Sequence, residues 1–134
     1  MENQVKLTLL LILLGFSVFG SVGSFVPSAY SWTPLEGHIT HDTTWTLANS
    51  PYTVVKDVVI DAGVKLIIEP GVEVRFDKNV SLTIYGSFEA IGTKNNPIII
   101  TSNEIFPAVG DWNTIEFKGS ANDTFLYFLM LRMV

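Results

Sequence analysis

From Tyr52 to Phe117, apolar and polar residues alternate in short runs, and turn residues punctuate the runs at regular intervals. The clearest unit is Val64 to Phe76, V-K-L-I-I-E-P-G-V-E-V-R-F. Leu66 and Ile68 face one way in the first run and Val74 and Phe76 do so in the second, while Lys65, Glu73 and Arg75 face the other. A period of two belongs to a half-buried strand, because successive side chains leave a strand on opposite sides. Pro70 has no N–H for a ladder and Gly71 accepts positive φ, so the dipeptide predicts a corner. The same sentence repeats: Val58 and Ile60 before Ala62-Gly63, Leu82 and Ile84 before Gly86, Phe88 and Ala90 before Gly92, Ile98 and Ile100 before Ser102-Asn103. The runs are rich in Val, Ile, Thr, Phe and Tyr and none has a 3.6-residue period, which predicts an all-β domain.

The spacing selects among all-β folds. Inward residues recur three runs on: Val58 to Leu82 is 24 residues, Leu66 to Phe88 is 22 and Val74 to Ile98 is 24. Three strands per period of roughly 20–25 residues fit a three-sided parallel β-solenoid, each turn stacked on the last. The alternative is a β-sandwich, which would join consecutive strands by reversals such as Asn-Gly or Asp-Gly. Neither dipeptide occurs. Ser102–Asp111 then reads as an excursion on the outside of the solenoid, after which Trp112–Phe117 resumes the alternation with Ile115 and Phe117 inward.

The flanks read differently. Residues 1–23 have the layout of a secretory signal peptide: a short head with Lys6, the apolar run Leu7–Val22, and small residues suited to cleavage at Gly23 or Ser24. An uncleaved signal anchor is the alternative, although sixteen residues with two glycines are short for a span of about 20. Residues 24–51, with Tyr30, Trp32 and Trp45, are expected to be a loosely structured lead-in that caps the open end of the solenoid. Rungs are expected over 52–134. Thr124–Val134 departs from the pattern, having no turn residue and no polar alternation before Arg132. On that ground the solenoid is expected to be incomplete after about Asp123, with little more than two rungs.

Composition narrows the partners. Eight Lys and Arg against thirteen Asp and Glu give a net charge of −5. Without a basic cluster there is nothing to neutralise phosphates, which argues against nucleic acid. The chain has no cysteine, which removes disulfides, thiolate nucleophiles and Cys-based metal sites.

The residues Gly37-x-Ile39, Thr44-Trp45, Leu66-x-Ile68-Glu69-Pro70-Gly71-Val72-x-Val74-x-Phe76, Leu82-x-Ile84-x-Gly86, Gly92-Thr93, Pro97-Ile98 and Gly110-Asp111-Trp112 resemble secreted right-handed parallel β-helix proteins, the pectate-lyase-like solenoids. The resemblance covers about Gly37 to Phe117 and implies the N-terminal portion of such a fold. It does not select an activity, since such proteins include polysaccharide lyases and hydrolases beside large surface proteins. Calcium enters only through this resemblance; no cofactor is otherwise expected.

Candidate chemistry is sparse. His38-x-x-His41-Asp42 has metal-ligand residue types, but a metal site would need a geometry that a polar lead-in does not promise, and Asp42-Thr43-Thr44 reads as a turn. Glu69, Glu73, Asp77 and Glu89 are outward acids that could pair as a calcium or acid–base site, with Arg75 the central cation. Glycoside cleavage needs two carboxyl groups flanking the bond at about 5–10 Å, and outward charges on strands ordinarily keep a surface soluble. Two sequons, Asn79-Val80-Ser81 and Asn122-Asp123-Thr124, fall at predicted corners and suit glycosylation. The expectation is an exported or cell-surface scaffold of adhesion type, non-catalytic in this segment, whose partner is a surface glycan or another surface protein. Contact with a membrane would come only from an uncleaved signal segment. The alternative is a fragment of a carbohydrate-active enzyme with its active site beyond residue 134. A third reading is a small metal-binding module built on the two His.

Overall fold

Alternation becomes burial in the computed structural model, which describes residues 31–119, 124–127 and 129–132. Among these residues are eleven strands: β1 (Thr33–Ile39), β2 (Thr43–Trp45), β3 (Tyr52–Ile60), β4 (Lys65–Ile68), β5 (Glu73–Phe76), β6 (Ser81–Ile84), β7 (Ser87–Ile91), β8 (Ile98–Ser102), β9 (Thr114–Phe117), β10 (Thr124–Tyr127) and β11 (Leu129–Arg132). In β4, β5 and β6 every second residue is buried, as a period of two requires.

Every strand pairing is parallel, and each joins a strand to one about a turn away. Three faces result. The first stacks residues 33–35 and 52–54, then β5, β8 and β11. The second stacks 37–39 and 58–60, then β6 and β9. The third stacks β2, β4, β7 and β10. β1 and β3 each run round the corner between the first two faces, so these share one hydrogen-bonded sheet. This is a parallel β-helix of about three turns, and the sandwich is excluded because it needs antiparallel neighbours.

Leu66, Ile68, Val74, Phe76, Leu82, Ile84, Ile98 and Ile100 all lie inside with at most 2% of their surface exposed. Trp45 stacks on Tyr52 at 5.3 Å between ring centroids, and Phe76 stacks on Trp112 at 5.0 Å. Phe117 meets Phe88 edge-on at 5.5 Å, yet remains 41% exposed. Its strand β9 ends the sheet among the described residues, so its inward direction gives only partial cover.

Four expectations need correction. Val58 pairs with Leu82 and Leu66 with Phe88, as the spacing predicts, but Val74 pairs with Ile100 rather than Ile98. A slip of two residues keeps the same face inward, so alternation alone does not detect it. The stretch 24–51 contains β1 and β2, which stack on β3 and β4 as the first rung rather than a loose lead-in. Thr43 and Thr44 belong to β2, with only Asp42 left at the corner. Finally, the described residues after 123 do continue the stack: β10 pairs with β7 and β11 with β8.

Corners are tied between turns by polar side chains. Asp42 accepts the N–H of Lys65 at 2.8 Å, Asp57 that of Ser81 at 2.8 Å, and Ser50 that of Glu73 at 2.9 Å. Each acceptor lies one turn before the strand start that it receives. These residues were invisible to the alternation; a polar acceptor some 23 or 24 residues ahead of a strand start is the signal that finds them.

Candidate functional site

The outer surface of the first face carries a groove of about 290 Å³ whose lining includes Trp32, Pro51, Thr53, Val55, Arg75 and Asn103. Strands β3 and β5 present it, and a second depression, which shares Arg75 and Asn103 and adds Thr101 and Ser102 of β8, continues it to the loop at Ile105 and Pro107. That loop is the Ser102–Asp111 excursion, and it does lie outside: Ile105 and Phe106 are 88% exposed and Val109 is 85% exposed.

The base of the loop is held from within. Asp111 is a buried acid whose Oδ2 accepts the Ser102 hydroxyl at 2.8 Å and the Ala108 N–H at 2.7 Å. Ser102 Oγ in turn accepts the Glu104 N–H at 3.1 Å. The Asp111 carbonyl accepts the Asn79 N–H at 2.8 Å, and Trp112 anchors the return strand on Phe76. Gly110, at φ 87°, makes the bend that lets the chain turn back. The tip is therefore apolar, exposed and pinned at both ends.

The Ala108 N–H first, then the Ser102 hydroxyl and more weakly the Lys78 charge, hold the Asp111 carboxyl below its ordinary pKa, against a smaller opposing effect of burial. A carboxyl with a lowered folded-state pKa stabilises the fold above its unfolded value, and the contribution is lost as pH falls through the folded value. The loop base is thus expected to hold down to about pH 4, the ordinary carboxylate range, and to release only below it. A carbon-13 NMR titration checks this. Asp111 should titrate below solvated Asp residues, with the Glu104 and Ala108 amides losing protection over the same interval; a midpoint at or above the ordinary value contradicts it.

The predicted site residues are dispersed rather than gathered. His38 Nδ1 lies 2.7 Å from Asp61 Oδ1, His41 Nδ1 lies 2.8 Å from the Thr40 hydroxyl, and Asp42 serves the Lys65 N–H. Among the described residues no three His, Cys, Asp or Glu converge as metal ligands. The outward acids are likewise occupied. Glu73 holds Arg75 at 2.9 Å, Glu89 holds Lys65 at 2.8 Å, Asp77 accepts the Asn103 amide at 2.8 Å, and Glu69 accepts the Leu47 N–H at 2.8 Å. Asn79 sits exposed at a corner with φ 60°. Asn122 lies outside the described residues, as do residues 1–23 with the proposed cleavage site.

A family model described as a pectate-lyase-like beta helix domain matches residues 37–124, most of the chain and nearly all of its stacked turns. The chain belongs to the pectate-lyase-like β-helix family. The Drosophila melanogaster protein named Protein bark beetle is 36% identical over 84 residues, which is 62% of this chain and 3% of that protein. The chain thus spans a very small part of the curated relative it matches. No solved structure matches. Pectate-lyase-like β-helix domains are often extracellular, and among the described residues no helix is long and apolar enough to cross a membrane.

Proposed function

We propose that this segment is a non-catalytic scaffold of an exported or cell-surface pectate-lyase-like β-helix protein, whose stacked faces hold a loop and groove toward a surface glycan or surface protein. The observation that carries the reading is the occupation of the acids. Every Asp and Glu among the described residues has a cation or an N–H or O–H donor within contact distance, and many of these contacts tie one turn to the next. A general acid or base works with a carboxyl that is free to exchange protons with substrate. Carboxyls already committed to corner N–H groups serve the stack instead. Family membership favours a second reading, in which the scaffold belongs to a carbohydrate-active enzyme whose catalytic rungs lie beyond residue 134.

The test uses the full chain made in a eukaryotic secretory host. It should reach the medium, start near Gly23 or Ser24, and carry an N-glycan that disappears in Asn79→Gln. Incubated with a panel of acidic and neutral polysaccharides, with and without calcium, it should release no new reducing or unsaturated ends. Turnover that is lost in Glu73→Gln or Asp77→Asn would overturn the non-catalytic reading. Retention in the cell with an intact Met1 would overturn export.

A further inference from the structure

We propose that Asn79 carries an N-linked glycan whose first N-acetylglucosamine covers the pocket beside Trp112 at the base of the loop. The inference rests on the export part of the scaffold reading, since the acceptor sequence is modified on exported chains. It goes beyond that reading in naming what the sugar packs against.

The corner itself singles out Asn79. Among the described residues the positive-φ positions are Gly37, Gly63, Gly71, Gly110 and Asn79. Glycine takes that conformation at no steric cost, whereas asparagine only tolerates it. Asparagine at this corner gives up some of that ease and completes an acceptor sequence with Val80 and Ser81. The side-chain amides of Asn49, Asn103 and Asn113 each donate to a neighbour within the fold. Asn79 is exposed, and among the described residues it is bonded through its backbone N–H, which leaves Nδ2 for the sugar. In the transfer, Nδ2 bonds to C1 of the sugar and gives up one proton. The C1–O bond to a polyprenyl pyrophosphate donor breaks, and the pyrophosphate leaves with the electron pair.

The corner lies across the mouth of the loop. Asp77 accepts the Asn103 amide at 2.8 Å and Lys78 meets Glu104 at 3.3 Å, which ties one limb to it. The other limb runs alongside the acceptor sequence. The Asp111 carbonyl accepts the Asn79 N–H at 2.8 Å, the Val80 carbonyl accepts the Asn113 N–H at 2.9 Å, and Ser81 Oγ accepts the Asn113 amide at 3.0 Å. Residues 79–81 and 111–113 are therefore one strand spacing apart, about 4.8 Å. This second limb lines a pocket of about 150 Å³ with Ala108, Val109, Gly110, Trp112 and Asn113, a volume that holds a benzene ring. Trp112 has one ring face on Phe76 and is half-buried. Its indole offers apolar surface, and Asn113 offers an amide, to a sugar that has both kinds of edge. Attachment at Asn79 supplies a high effective concentration, so the contact needs little affinity of its own. Ile105 and Phe106 lie outside this lining, and the sugar leaves them open to a partner.

The full chain is made in a eukaryotic secretory host restricted to oligomannose glycans, once as it stands and once behind an added secretion leader. Peptide mass spectrometry should find Asn79 glycosylated, and an endoglycosidase then trims the glycan to its first sugar. In NMR, the acetyl methyl signal that disappears in Asn79→Gly should show cross-peaks to the Trp112 indole ring. Glycine keeps the left-handed corner, so this variant removes the sugar without straining the fold. The Trp112 indole N–H resonance should shift between the one-sugar form and the variant, while those of Trp32 and Trp45 stay in place. An unmodified Asn79 behind the leader, or a modified one without these cross-peaks, overturns the proposal. A chain that is modified and shows the cross-peaks only behind the leader defeats the export reading and leaves the sugar contact standing.

Discussion

Phe76→Ala is expected to remove about 3–5 kcal/mol of stability, the range for deleting a buried aromatic ring. Phe76 has none of its surface exposed and stacks on Trp112, so its loss opens a cavity at the middle of the stack and frees the return strand of the loop. Native domains hold only about 5–15 kcal/mol in total, so the variant should sit at the edge of unfolding. Urea denaturation reads the effect as a large fall in midpoint with unchanged slope. The companion variant Phe106→Ala, at a side chain 88% exposed, should change the stability by no more than about 0.5 kcal/mol. Equal effects of the two would mean that Phe76 is not inside.

Gly86→Ala should be as damaging for a different reason. A methyl group at Gly86 would lie 1.9 Å from the Val64 carbonyl oxygen and 2.6 Å from that of Asp61. Both obstacles are backbone, and Val64 O already accepts the Ser87 N–H at 2.9 Å, so relief requires the two turns to separate. Overpacking typically costs about 1–3 kcal/mol and occasionally more; with rigid backbone on the far side, at least about 3 kcal/mol is expected. Gly119 repeats the constraint one turn on, where a methyl would lie 2.7 Å from the Gly86 carbonyl oxygen. Gly63 is the control. Its φ of +80° disfavours alanine, but nothing lies within 4 Å of the added atom, so Gly63→Ala should cost only about 1–2 kcal/mol. If Gly86→Ala were the milder of the two in a thermal melt, close approach between turns would not be what this corner demands.

Much of the solenoid was legible because its central strands obey one strong rule. Leu66, Ile68, Leu82 and Ile84 are both apolar and alternate, and their spacing returned the register of the second and third faces. The first rung was obscured because β1 is an end strand of its sheet. Pro34 and Gly37 interrupt it, and only Leu35 and Ile39 pack on the core. A strand with one neighbour tolerates proline and needs little apolar surface, so it leaves a faint pattern. The loop was legible as an excursion from its Pro and Gly. That Asp111 turns inward to close its base was not, because a buried acid is recognisable only once its donors Ser102 and Ala108 are placed around it. The His38, His41 and Asp42 cluster shows the converse: these sequence neighbours on a strand and corner reach separate partners, Asp61, Thr40 and the Lys65 N–H, and proximity in sequence becomes a site only when side chains converge.

The stacking register is the claim on which groove and loop both depend, and side-chain NMR on the full chain tests it most directly. Cross-peaks are expected between the side chains of Val58 and Leu82, Leu66 and Phe88, and Val74 and Ile100, each pair in register on successive turns. Parallel neighbours keep their Hα atoms apart, whereas the close pairs of an antiparallel ladder bring backbones to about 4.5 Å. Strong Hα–Hα cross-peaks between consecutive strands, with the three side-chain pairs silent, would contradict the β-helix.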